Sequence, residues 1–372
     1  MSPRTTVALL FGGRSSEHGI SCVTAGGVLS ALDPARFDVV AVGVTRQGRC
    51  VEVSSDPEHW QIRDGRAPEV PVDGDEVLLP LEAVPHGGRT ELRVVRDGRV
   101  EHLADVDVVF PLLHGPFGED GTVQGLLDLA DIPYVGSGVL ASALCMDKAA
   151  TKQALQAAGI AVAPGELVTA AQWVTDPDAV RTRLETLPLP WFVKPTRAGS
   201  SMGVTRVHTP DGLEEAMRIA VAEDPRVLVE TEVEGREIEC GVLEGRDGEA
   251  PRTTAPGEVI LGDDLDFYDY ESKYFGKGTV TIQVPAELTP EQSDRVRQVA
   301  AEAFTALRLE GLARVDVFVT RQGEVVVNEV NTMPGFTPFS MFPVLWENMG
   351  LTYSDLVAEL IELARSRPVG PR

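Results

Sequence analysis

Ala-Arg-Val-Asp-Val-Phe-Val-Thr-Arg-Gln-Gly-Glu-Val-Val-Val-Asn-Glu-Val-Asn, residues 313–331, is the stretch on which the fold turns. Ala313 to Val319 alternates strictly, which predicts a strand with Arg314 and Asp316 on one face and Val315 and Val317 on the other. Thr320 to Gly323 carries the turn, and Glu324 to Asn331 returns with Glu329 and Asn331 sharing a face. With that turn Val319 pairs with Glu324, which sets Arg314 opposite Glu329 and Asp316 on the diagonal. Two carboxylates and an amide oxygen converging in this way are hard ligands, suited to Mg²⁺ on phosphate oxygens. An arginine beside them suits the charge of a phosphoryl-transfer transition state. The pattern alone describes a solvated ladder of salt bridges equally well. The turn Asn331-Thr332-Met333-Pro334-Gly335 weighs against that reading, because it presents backbone N–H groups beside the acidic cluster.

Working back from the hairpin, the long stretch Pro290 to Leu307 predicts a helix, and short strands are expected at Trp191 to Lys194, Gly203 to Val207 and Arg226 to Glu230. A helical stretch from about Gly138 carries Met146-Asp147-Lys148 and stops at Ala158-Gly159. The N-terminal part alternates strand and helix. Thr6 to Phe11 is a strand, Gly12-Gly13 a turn, Ile20 to Leu32 a helix, Phe37 to Val44 a second strand, and Val106 to Pro111 a third. This is the βαβ rhythm of a parallel sheet. Residues 48–104 are rich in Pro, Gly and Arg and read as a surface elaboration without visible chemistry, with one hairpin around Asp97-Gly98. The length, 372 residues, suits two or three packed domains.

A formal charge of −24 argues against a nucleic-acid surface, which needs a basic face, and means that any anionic substrate must meet local cations or metal ions. No apolar run approaches the roughly 20 residues of a membrane span, and Val7 to Phe11 reads as a strand rather than a signal peptide, so a cytoplasmic protein is expected. Four scattered cysteines without a C-x-x-C pair point to reduced thiols. Only five of the 33 basic residues are lysines (148, 152, 194, 273 and 277). A chain that otherwise uses arginine keeps lysine where a compact ammonium is needed. Chance is an equal account for Lys152 and Lys277.

Five further segments carry candidate chemistry. Lys194-Pro195-Thr196-Arg197-Ala198-Gly199-Ser200-Ser201-Met202-Gly203 delivers a lysine into a small-residue loop whose N–H groups and hydroxyls can wrap phosphate. It is not a Walker A loop, and a plain surface loop is the alternative. Glu230 to Glu237 follows, with acidic groups able to take a ribose hydroxyl or an adenine amine, or merely solvated. Gly12-Gly13-Arg14-Ser15-Ser16-Glu17-His18 and His114-Gly115-Pro116-Phe117-Gly118-Glu119-Asp120-Gly121 end strands on what should be one rim of the sheet, a common ligand position. Glu17 suits a substrate ammonium there, or a helix dipole. The G-x-G-x-x-G of a dinucleotide site is missing. Phe267 to Tyr274, bounded by Gly262 and Gly276, suits a lid that excludes water, or a packed loop without function.

Taken in order, these segments together with Met146-Asp147-Lys148 and Asn328 to Asn331 resemble the bacterial D-alanine–D-alanine ligases over nearly the whole chain, with 48–104 the part that resembles only an insert of the longer members. The resemblance implies a three-domain ATP-grasp fold, α/β and α+β. It comprises a Rossmann-like parallel-sheet domain (1–137, insert about 48–104), a small central domain (138–232) and a C-terminal domain (233–372) with the lid at 262–278. ATP would lie between the sheets of the last two. Lys148, Lys194 and the lid's Lys273 match phosphate-binding lysines. Glu230 and Glu237 match adenine and ribose contacts, and the backbone of Thr231 and Val233 the adenine edge. Asp316, Glu329 and Asn331 match the ligands of two Mg²⁺ (or Mn²⁺) ions. Glu17 would hold the first D-alanine's ammonium in a triad with Ser200 and Tyr274, and His114 would lie near its carboxylate. Arg314 and the N–H of Gly335 would form the oxyanion hole, and Ser340 and Met341 would hold the second carboxylate. The same resemblance implies D-alanine and ATP as the partners and a homodimer, while charge and hydropathy point to no nucleic acid and no membrane as partners. Alternatives are a D-alanine–D-lactate ligase, from which Lys273-Tyr274 separates it, another ATP-grasp ligase such as a glutathione-synthetase-like enzyme, a Rossmann-type oxidoreductase, and a non-catalytic ATP-binding sensor.

Overall fold

The computed structural model describes residues 4–80, 89–261 and 280–368. The expected lid residues, Lys273 and Tyr274 among them, lie outside this set. The first sheet opens with β1 (Thr5–Gly12), buried along nearly its whole length because helices or strands cover both faces. Helix α1 (His18–Ala31) returns to β2 (Phe37–Val44), which pairs parallel with β1. Short strands β3 (Cys50–Glu52) and β4 (Glu76–Leu78) follow, then the hairpin β5 (Thr90–Arg96) and β6 (Arg99–Val106) turning at Asp97-Gly98, and β7 (Val108–Pro111), parallel to β1. The strand order is β6-β5-β4-β3-β2-β1-β7.

Two expectations change here. The sheet is mixed, with only β2, β1 and β7 parallel and the rest antiparallel. Residues 48–104 are therefore not a surface elaboration: they build the antiparallel half. They also seal α1, since Trp60 is buried with its ring edge-on to Phe11 at a centroid distance of 4.7 Å.

Beyond α2 (Thr122–Leu129), the expected single helix after Gly138 is two, α3 (Val139–Met146) and α4 (Lys148–Ala157). Asp147 breaks them. Its extended backbone lets Oδ1 accept from the amides of Ala149 and Ala150, a cap that starts α4 at Lys148. The second sheet is antiparallel, built from β8 (Gly165–Thr169), then after α5 (Ala170–Thr175) and α6 (Pro177–Leu184) from β9 (Trp191–Pro195) and β10 (Thr205–Val207), and after α7 (Leu213–Glu223) from β11 (Arg226–Thr231). Their order is β10-β9-β11-β8.

The third sheet takes β12 (Gly235–Leu243), β13 (Arg252–Thr253), β14 (Gly257–Leu261) and β15 (Val280–Gln283). Helix α8 (Pro290–Ala306), opened by a Thr289/Gln292 capping box with proline in its first turn, covers one face. The hairpin β16 (Leu312–Thr320) and β17 (Val325–Asn331) then lies beside β12. Helices α9 (Met341–Asn348) and α10 (Tyr353–Ser366) close the chain, and Leu356, Leu360 and Ile361 of α10 join Leu9, Phe11 and Phe110 of the first sheet in one core.

The hairpin register is the fourth correction. Val319 faces Val325 rather than Glu324, and a bulge between Asp316 and Val317 accommodates Asn328. The two shifts put Asp316 directly opposite Glu329 and Arg314 opposite Asn331. Without the bulge, Glu329 and Asn331 would point into the valine core; with it, Val325, Val327 and Val330 fill that core and both polar residues join Arg314 and Asp316.

Candidate active site

The N-terminal rim is tied together by side chains that bond backbone. Ser21 Oγ accepts from the Gly12 amide at 2.7 Å and donates to the Leu112 carbonyl at 2.6 Å, fixing β1 against β7. Ser15 Oγ donates to the His114 carbonyl at 2.7 Å. The His18 ring accepts the Val70 amide at Nε2, so the proton sits on Nδ1, 2.7 Å from the Gly13 carbonyl; the insert thus braces the glycine turn. His114 is buried. Desolvation pushes its pKa down, and its Nδ1 lies 3.1 Å from the Met333 carbonyl. It is a neutral strut between two loops that also lines the cavity.

Glu17 reaches from this rim to the phosphate-type loop. Ser200 Oγ donates to Glu17 Oε1 at 2.7 Å across 183 residues of sequence. Glycine is required around that carboxylate: a Cβ at Gly115 would stand 2.8 Å from Glu17 Oε2, and one at Gly199 3.1 Å. The loop carrying Ser200 is anchored at its root by Asp224, which accepts from Thr196 Oγ1, the Arg197 amide and the Arg197 guanidinium. Lys148, first residue of α4, donates to the Ala198 carbonyl at 2.8 Å and lies 3.5 Å from Glu329.

Glu230 is buried between two lysines, with Lys194 bonded to one oxygen and Lys152 2.9 Å from the other. Burial alone would raise its pKa, but the two ammonium groups outweigh this and hold it below the usual carboxylate range. Its first structural task is to fix Lys194, and only its remaining lone pairs are left for a base amine. Thr231, Val233 and Glu237 line the same cleft.

On the hairpin, Arg314 grips Asp316 through two bonds of 2.7 Å, and Asn331 Nδ2 donates to Asp316 at 3.0 Å. Glu239, across on β12, lies 2.8 Å from Arg314 Nε. Desolvation would lower the arginine's pKa, yet Asp316 and Glu239 raise it further, so it stays charged. Among the described residues no three His, Cys, Asp or Glu side chains converge as a ready cation site. The donors nevertheless fit one. Arg314 and Lys148 face Asp316, Glu239 and Glu329, which leaves one negative charge over, and the oxygen-only set suits a hard divalent ion completed by phosphate and water.

Two cavities meet here. One of about 630 Å³ is lined by Glu17, His114, Asn331, Gly335, Ser340 and Met341, and the other, about 300 Å³, by Lys194, Glu230, Thr231, Val233, Glu237 and Asp316. Lys148, Ala198, Ser200, Glu239, Arg314 and Glu329 line both and form the junction. Met341, at the start of α9, packs with Val259 and Leu345 and also lines the cavity; Ser340 Oγ bonds Thr337 Oγ1 at 2.7 Å.

Sequence reasoning missed Glu119, Lys152 and Glu239. Glu119 accepts from the amides of Gly115 (2.8 Å) and Met333 (3.0 Å), locking two loops together, and its removal from water pushes its pKa up to about 7. Lys152 sits one helical turn beyond Lys148, and Glu239 two residues beyond Glu237 on one strand face; both spacings were available as signals.

Residues 6–137 match the family model described as the D-ala D-ala ligase N-terminus, and residues 154–362 that of the C-terminus. A D-alanine–D-alanine ligase of Kineococcus radiotolerans is 52% identical over all of this chain and 99% of its own, and one of Arthrobacter sp. (strain FB24) 50% identical over 98% and 95%. Among solved structures, the D-alanine–D-alanine ligase of Coxiella burnetii superposes with a TM-score of 0.80 at 32% identity, covering 98% of this chain and 94% of that one. The VanG D-Ala:D-Ser ligase of Enterococcus faecalis gives 0.81 at 33%, covering 97% and 100%. Full-length identity of this order, with both halves of the family matched and the three sheets of the ATP-grasp fold in place, means that the chain belongs to the D-alanine–D-alanine ligase family.

Proposed function

We propose that the protein uses ATP to join two D-alanine molecules through a D-alanyl phosphate, releasing ADP, phosphate and the dipeptide that peptidoglycan precursors require. The observation that carries this reading is the junction. A cleft suited to a nucleotide and a chamber suited to small amino acids share one wall made of Lys148, Arg314, Glu329 and Ser200, where a terminal phosphoryl group would have to cross.

A carboxylate is a poor acylating agent because oxide is its leaving group, and phosphorylation replaces that with phosphate. In the reading proposed here Glu17, held by Ser200, binds the first D-alanine's ammonium, and Tyr274 completes the triad from the lid. His114 keeps the adjoining loop against the Met333 turn. Lys148, Lys194 and Lys273 neutralise the triphosphate, while Glu230, Thr231, Val233 and Glu237 hold adenine and ribose. Asp316, Glu329 and Asn331 would hold two Mg²⁺ (or Mn²⁺) ions, whose chemistry is to neutralise phosphate oxygens. The second D-alanine must attack as a free amine. Its carboxylate is held by the Ser340 hydroxyl and the Met341 amide, and the tetrahedral oxyanion by Arg314 and the Gly335 N–H. A homodimer in the cytoplasm completes the reading, on the strength of the family alone.

The solved neighbour named as a D-Ala:D-Ser ligase keeps a different second substrate in view. Relatives at 50% and 52% identity, both named as D-alanine–D-alanine ligases, favour D-alanine. Incubating the protein with Mg-ATP and D-alanine should give ADP, phosphate and dipeptide in equal amounts. AMP with pyrophosphate, or turnover with D-lactate or D-serine in preference to D-alanine as the second substrate, would refute it.

A further inference from the structure

Arg314 is held from two strands. Asp316, two residues along β16, takes its Nε and Nη2, and Glu239 of β12, directly across from Asp316, lies 2.8 Å from the same Nε. The two carboxylates are not equivalent. Asp316 also accepts from Asn331 Nδ2 and belongs to the set proposed for the cation, so its hold on the arginine is shared. Glu239 is buried at 7% exposure beside a part-buried guanidinium, and it stands at the junction of the two cavities. A planar guanidinium with one edge fixed by a bidentate carboxylate can still swing about that edge. Glu239 stands 2.8 Å from Nε on that same edge, whose one N–H is already given to Asp316, so it acts as a second negative charge that draws the guanidinium toward β12.

We infer that Glu239 is a positioning residue, which fixes the Arg314 guanidinium at the junction so that it meets the tetrahedral oxyanion without reorganising. This deepens the proposed function and rests on the role given there to Arg314. In this reading Glu239 acts through Arg314 and is assigned no contact of its own with either substrate. Its effect is felt in the transition state, so it should appear in kcat rather than in KM.

The test is a double-mutant cycle in the full-length enzyme with Mg-ATP and D-alanine. Glu239→Ala should lower kcat roughly ten- to hundred-fold, below the cost of losing an oxyanion donor outright, with KM for ATP and for D-alanine within about two-fold. Glu239→Gln, which keeps shape and an acceptor, should fall between wild type and Glu239→Ala and guards against a mere folding defect. In an Arg314→Lys background the further loss from Glu239→Ala should shrink below about two-fold, because the group it positions is gone. Equal losses in both backgrounds would overturn the inference. So would a Glu239→Gln enzyme with normal kcat but a raised magnesium requirement, which would make Glu239 a cation ligand instead. Arg314→Lys with undiminished kcat would sink the underlying role of Arg314 itself, a separate failure that the single variant reveals.

Discussion

Replacing Ser200 with alanine deletes a single hydroxyl and isolates the link between the N-terminal rim and the phosphate-type loop. In the wild type that hydroxyl donates to Glu17 Oε1 at 2.7 Å. A hydrogen bond to a charged group is worth about 1.5–3 kcal/mol. Glu17 faces a cavity on one side, so water partly replaces the lost donor, and about 1.5–2 kcal/mol is the appropriate share. That converts to a roughly 10- to 30-fold fall in kcat/KM at about 1.4 kcal/mol per decade. Because Glu17 is proposed to grip the first D-alanine, the fall should appear when D-alanine is varied at saturating ATP. It is measured as ADP release in a coupled assay. The KM for ATP should stay within about two-fold, and the melting temperature within a few degrees, since the site is only partly buried. A variant with kcat/KM for D-alanine within two-fold of wild type would refute the reasoning, as it would show that the Ser200 contact does not set the position of Glu17.

Three other variants probe different parts of the account. Glu329→Gln should reduce turnover at least about 100-fold while circular dichroism and melting remain near wild type; residual activity within ten-fold would remove Glu329 from the phosphoryl-transfer site. Gly115→Ala adds a Cβ 2.8 Å from Glu17 Oε2 at a residue with φ of +72°, and should cost about ten-fold or more in kcat/KM for D-alanine; unchanged kinetics would mean that Glu17 is not held as described. Burial would raise the Asp224 pKa, but the Arg197 guanidinium, the Arg226 amide and the Thr196 hydroxyl outweigh it and hold it below the usual range. A lowered folded pKa gives stability that is complete above the unfolded value, about 3.9, and is lost as pH falls through the folded one. Asp224→Asn should therefore cost about 2 kcal/mol at pH 7, discounted because Arg197 is half exposed, and flatten the decline in melting temperature between pH 5 and about pH 3. Parallel wild-type and variant curves across that range would contradict the assignment.

What was legible in the sequence follows a physical line. Strands β1, β2 and β7 are continuous or nearly continuous apolar runs because both faces are covered, and Arg314 and Asp316 announce themselves by strict alternation. The register of the hairpin was not recovered, because it depends on one extra residue. The clue is that apolar positions 325 and 327 are followed by 330 instead of 329, a break in the two-residue period that marks the bulge. The insert was misread as surface because β3 and β4 are three residues each and exist only through their neighbours. Glu17, Lys148, Lys194 and Ser200 sit in glycine- or lysine-marked segments and were visible as candidates. Glu119, Lys152 and Glu239 were given no role, although spacing marked the last two, since each acquires its role from a partner far along the chain: Met333, Glu230 and Arg314.

The central claim is that a carboxylate oxygen of the first D-alanine becomes bonded to the transferred phosphorus. It is tested most directly with D-alanine labelled with ¹⁸O in its carboxylate, followed by mass analysis of the phosphate released during dipeptide synthesis. One labelled oxygen should appear in each inorganic phosphate, and none in ADP. Phosphate free of label while dipeptide accumulates would contradict a D-alanyl phosphate intermediate.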